Sequence, residues 1–153
     1  MSGKVVLTVG SVLRGDDAAG PMLAKMLEDE PLEGWEVIDG GQTPEDELAV
    51  IRRRQPDFLL LVDAADMGLE AGEIRALEEE DVYTDYLITT HALPLSYLLS
   101  ELRGCCKEIC FLGIQPAQTE FFGALTPRVK EAVEGLYEAL KSNDVPQRYQ
   151  QIG

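Results

Sequence analysis

This chain of 153 residues holds one histidine, His91, and that scarcity excludes more chemistry than any single motif suggests. A zinc protease of the HExxH kind needs two histidines on one helix, and a facial-triad oxygenase also needs two, so neither fits. Basic residues are few as well. Thirteen lysines and arginines against 28 acidic residues give a formal net charge of −15, which repels phosphate backbones and anionic membranes and argues against nucleic acid as a partner. The three cysteines, Cys105, Cys106 and Cys110 in GCCKEICFLG, form no CxxC pair, so a zinc knot or a secreted disulfide framework is not supported and reduced thiols are expected. No apolar run approaches the ~20 residues that span a bilayer. Only Ser2, Gly3 and Lys4 separate Met1 from the strand-like VVLTV, so no signal peptide is expected and the reading is a cytoplasmic protein.

What is present fits one domain with a real core: 153 residues, 45% of them hydrophobic. Short apolar runs alternate with helical patterns, which predicts an α/β fold of three α/β/α layers around a mixed, mostly parallel five-stranded sheet. Strands are expected at residues 4–9, 36–38, 58–62, 73–77 and 108–112. FLLLV, at 58–62, lacks polar alternation and reads as a central strand covered on both faces. The link ADMGLEAG is too short for a helical crossover, so the strand after it should run antiparallel. Helices are expected at 21–28, from Pro44 with Thr43 as cap, from Pro94, and from Thr126 and Pro127 with Val129, Val133, Leu136, Tyr137 and Leu140 as the apolar face. The domain is drawn over 1–141, with 142–153 as a loose tail.

Open α/β sheets bind ligands beyond the carboxyl ends of their strands. That edge should gather Asp16 and Asp17 of GDDAAGP, Asp63 of LLLVDAAD, whose Asp66 lies close by, and His91 of TTHALPL. One imidazole with carboxylates suits a borderline divalent metal with nitrogen and oxygen ligands, or a His and Asp pair in acid/base work. Each residue also has a plainer role. Asp16 or Asp17 could cap the following helix, Asp63 could form a strand-end turn, and His91 could be a hydrogen-bonded loop residue. Gly10 and Gly15 have P-loop spacing, but Asp16 and Asp17 stand where Lys and Ser/Thr belong and would repel phosphate. Ser11 lacks a GxSxG elbow and is not read as a nucleophile. A receiver-like signalling domain would share the acidic pair and the strand-end aspartate, yet it needs a lysine where FLGIQP offers Gln115. A generic metal-dependent hydrolase of small amides or esters stays open on the residues alone.

The ordered segments GSVLRGDDAAGP, VIDGGQTPED, LLLVDAADMGLEAGEIR, TTHALPL and FLGIQP resemble the hydrogenase maturation endopeptidases, most closely those serving formate-hydrogenlyase-type NiFe hydrogenases. A monomer is expected, and the resemblance implies a cytosolic peptidase. It would remove a C-terminal extension from the NiFe hydrogenase large-subunit precursor after nickel insertion. The resemblance also implies that Asp17, Asp63 and His91 contact the metal, and that Asp39, with Gly40 and Gly41, handles substrate. Asp17, Asp63 and His91 are the catalytic candidates, with metal activation of carbonyl or water and His91 as general base both open. Some relatives carry glutamate at the first position, one methylene longer than Asp17. On this reading the nickel is carried by the substrate protein, and other divalent ions would occupy the site in isolation. For Asp39 a strand-end turn, with glycines supplying positive φ, is the competing reading.

Overall fold

A computed structural model describes residues 3–78 and 95–149. Five strands form one sheet in the order β2-β1-β3-β5-β4: β1 Lys4–Thr8, β2 Trp35–Asp39, β3 Phe58–Ala64, β4 Ile74–Leu77 and β5 Glu108–Ile114. β1 pairs in parallel with β2 and β3, and β3 in parallel with β5, while β4 joins the edge antiparallel to β5. The short link after Asp63 thus forces the strand reversal anticipated for it.

The unbroken apolar strands follow from burial on both faces, because successive side chains point to opposite sides. Val5, Leu7, Leu59, Leu61 and Phe111 pack against α2 (Leu48–Arg54) and α3 (Leu95–Arg103). The alternate residues Val6, Leu60, Val62, Leu112 and Ile114 pack against α1 (Ala19–Asp29) and α4 (Pro127–Lys141). Each fully buried Leu, Ile or Val on these faces contributes about 1.5–3 kcal/mol by removal from water. Val129, Val133, Leu136, Tyr137 and Leu140 are all buried, as their spacing predicts.

Several boundaries differ from the expectation. β3 continues through Asp63 to Ala64, and β5 through Gly113 to Ile114. Asp63 therefore lies inside a strand, opposite Gly113, rather than at its end. Thr43 makes no side-chain cap: a 3-10 turn, Pro44–Glu47, precedes α2. A second 3-10 turn, Gly15–Ala18, carries Asp16 and Asp17 and leads into α1, whose N-cap Ala18 has no side-chain capping bond. Residues 142–149, placed in a loose tail by the sequence, form turns in which Val145 is buried against the α1 and α4 face. The Asn143 side chain there accepts a hydrogen bond from Lys4 Nζ at 2.8 Å. Pro94, the expected start of α3, and His91 lie outside the described residues.

Candidate active site

β1 has β2 on one side and β3 on the other, so chain connections leave it in both directions, the arrangement at whose carboxyl ends open sheets bind ligands. Asp17 follows β1 and Asp63 belongs to β3. Both are buried, at 2% and 0% exposure, and two carboxylates withdrawn from water in one region are expensive unless their surroundings use them.

The loop after β1 is shaped by close backbone approach. Gly10 adopts φ +147, and a Cβ there would lie 2.0 Å from the Asp17 carbonyl oxygen; at Gly20 a Cβ would lie 2.4 Å from the Val9 carbonyl oxygen. Only glycine permits this folding of the 3-10 turn onto the strand end. The turn then presents Asp17, whose Oδ2 accepts the Ser11 N–H at 2.8 Å.

Asp16 serves differently. It is fully buried. Its Oδ2 accepts the Ala117 N–H at 2.8 Å and the Gln118 N–H at 3.3 Å, and its Oδ1 accepts the Thr126 N–H at 2.6 Å. The Thr126 hydroxyl, 2.8 and 3.0 Å from the two oxygens, donates to the same carboxylate. The capping reading was right in chemistry and wrong in address. Asp16 satisfies donors at the start of α4 and after β5, and Thr126 spends its hydroxyl on Asp16 instead of capping α4.

Asp63 shares the face of Leu59 and Leu61, the side covered by α2 and α3. Asp39 lies with Thr8 on the opposite face: its Oδ1 accepts the Thr8 hydroxyl and the Gly41 N–H, each at 3.1 Å, and it is exposed. Gly41, at φ +55, accepts the Gly10 N–H through its carbonyl at 2.9 Å, so this turn buttresses the first loop. The geometry at Asp39, Gly40 and Gly41 is that of a strand-end turn. Asp66 is likewise a turn residue, accepting the Gly68 N–H.

Gln115 was noticed in the sequence only as the absence of a lysine. Its buried side chain accepts N–H bonds from Met67 at 2.7 Å and Leu69 at 3.2 Å and donates to Asp66 Oδ1 at 3.2 Å, fixing the segment that follows Asp63. A polar residue directly after an apolar strand was its one visible signal. Among the described residues no group of three His, Cys, Asp or Glu side chains could hold a metal ion. Asp17 and Asp63 supply hard oxygen donors, and two such donors fall short of a resident metal site; the expected third, His91, lies outside the described residues.

Sheet topology defines an open-sheet α/β protein, with buried aspartates in the loop after β1 and within β3. A family described as hydrogenase maturation protease matches residues 21–143, and the chain belongs to that family. It is therefore a peptidase. Hydrogenase 3 maturation protease of Escherichia coli (strain K12) is 44% identical over 137 residues, covering 90% of this chain and 88% of that one. The solution structure of the endopeptidase HycI from Escherichia coli superposes with a TM-score of 0.92 at 41% identity, covering 100% of this chain and 97% of that one. The crystal structure of a NiFe hydrogenase maturation protease HycI from Thermococcus kodakarensis gives 0.81 at 28% identity, with 94% and 92% covered. Membership sets aside the receiver-like and small-amide hydrolase readings. Among the described residues no helix is long and apolar enough to cross a membrane.

Proposed function

We propose that this chain removes the C-terminal extension of a NiFe hydrogenase large-subunit precursor once nickel is in place, and that Asp17, Asp63 and His91 read that nickel. The observation that carries the reading is the burial of Asp17, in the loop after β1, and of Asp63, in the neighbouring β3, with Asp17 held by the Ser11 N–H. Two carboxylates and one imidazole make an incomplete ligand set, suited to a metal already bound by a partner's own ligands. Nickel is thus part of the substrate, and other divalent ions fill the same place only weakly when the protein is alone. The same three residues would meet the scissile bond, where a metal they help to hold would supply Lewis-acid chemistry toward the carbonyl or the attacking water, or His91 would serve as general base. Asp39, Gly40 and Gly41 are proposed to meet the substrate chain, from a turn bonded to Gly10. The protein is proposed to work in the cytoplasm as a monomer.

The test is to incubate the protein with nickel-loaded and nickel-free precursor and to weigh the products. The loaded form should be cut at least roughly a hundredfold faster, which requires about 3 kcal/mol of transition-state preference. Efficient cutting of metal-free precursor in the presence of chelator would overturn nickel recognition.

A further inference from the structure

The rim of the first loop carries an apolar feature that the carboxylates do not use. Val12 and Leu13 are 69% and 48% exposed, and Phe121 and Phe122, from the loop after β5, are 60% and 82% exposed. The two loops are joined by a hydrogen bond from the Phe122 N–H to the Leu13 carbonyl at 2.6 Å. This patch is held in shape. Gln118 accepts the Glu120 N–H and donates to the Ala124 carbonyl, and the Arg14 guanidinium stacks 4.5 Å from the Phe121 ring centroid.

Phe122 is the informative residue. It adopts φ +61, a left-handed conformation that a bulky aromatic rarely takes, and it displays its ring to solvent. Neither choice helps folding, and a strained backbone held by its surroundings marks a functional place. From Val12 the apolar surface continues into a groove of about 410 Å³ lined by Pro21, Met22, Met26 and Leu125. Methionines adapt to irregular apolar partners.

We propose that Val12, Leu13, Phe121 and Phe122, with this groove, form the docking surface for an apolar stretch of the substrate polypeptide. The proposal rests on the protease reading. Its occupant is chosen by continuity and by charge. Val12 directly follows Ser11, whose N–H bonds Asp17, so a chain seated here lies next to the loop that holds Asp17. A second copy would bring two charges of −15 together, and an anionic membrane would be repelled.

The experiment measures binding of the full-length protein to purified nickel-loaded precursor, independently of cleavage, for wild type, a Phe121→Ser/Phe122→Ser double variant and Phe122→Gly. The double variant should bind at least about tenfold more weakly, as for aromatic anchors elsewhere. Phe122→Gly should also weaken binding while its melting temperature stays level or rises, because glycine relieves the backbone. Unchanged affinity in the double variant overturns the proposal. So does a wild-type dimer that the same substitutions dissociate, which would assign the patch to a second copy. Wild type that binds the precursor without cutting it would instead sink the protease reading and leave the docking result standing.

Discussion

Asp16 Oδ1 receives the backbone N–H of Thr126 at 2.6 Å, so the first loop of the chain is fastened to the start of its last helix. Its neighbour Asp17 faces Ser11 instead, and adjacent residues of one 3-10 turn therefore carry separate tasks. Asp16→Asn should lower stability by about 2 kcal/mol, because a carboxylate accepting several charge-assisted bonds is replaced by a group with one acceptor oxygen. Asp17→Asn should abolish precursor processing with a smaller change in melting. Equal loss of activity with unchanged melting in both variants would show the roles to be assigned wrongly.

Two glycines should respond with opposite signs to alanine. At Gly10 the new methyl would overlap the Asp17 carbonyl and the φ of +147 is strained for any side chain, so Gly10→Ala should cost about 3 kcal/mol and displace Asp17. Gly135 lies within α4, where a Cβ would meet nothing within 4 Å beyond its own turn of helix, so Gly135→Ala should stabilise by about 0.5–1 kcal/mol. Denaturant titration of both distinguishes shape-dictated glycine from merely permitted glycine.

Burial in β5, with the Glu78 charge as a lesser cause, pushes the Cys110 thiol up from 9.0 to about 11. The folded protein thus holds this proton more tightly than the unfolded chain. Between pH about 9 and about 11 the unfolded state binds fewer protons, so stability is full below that window and falls as pH rises through it. Cys110→Ala should flatten that part of the decline in unfolding midpoint against pH. A slope identical to wild type would show that Cys110 is not a source of it.

The sheet was legible because its strands are apolar on both faces, and the reversal into β4 because eight residues of ADMGLEAG leave no room for a crossover helix. Strand ends were less legible. Composition stops looking strand-like at Asp63 and Gly113, while backbone pairing continues through both to Ala64 and Ile114. The cap assignments erred for a related reason: a threonine before Pro is a local signal, and Thr126 answers to Asp16, far away in sequence. The order of Asp17 and Asp63 around the strands was legible, and both are buried there. What Asp16 and Gln115 hold was not, since it depends on which loops the fold sets side by side.

The strand order has a consequence during synthesis. β1, β2 and β3 all lie within the first 64 residues, whereas β5, which covers the outer edge of β3, ends only at Ile114. A nascent chain therefore has a period in which FLLLVDA presents an open, almost wholly apolar edge, the kind of surface on which polypeptides stick to one another. Asp63 is the one charged residue of that strand, and until Gly113 pairs beside it its carboxylate stands on the otherwise apolar face of Leu59 and Leu61. The residue proposed to read nickel is thus also a charge set within an apolar strand, the kind of residue that opposes sticking between incomplete chains.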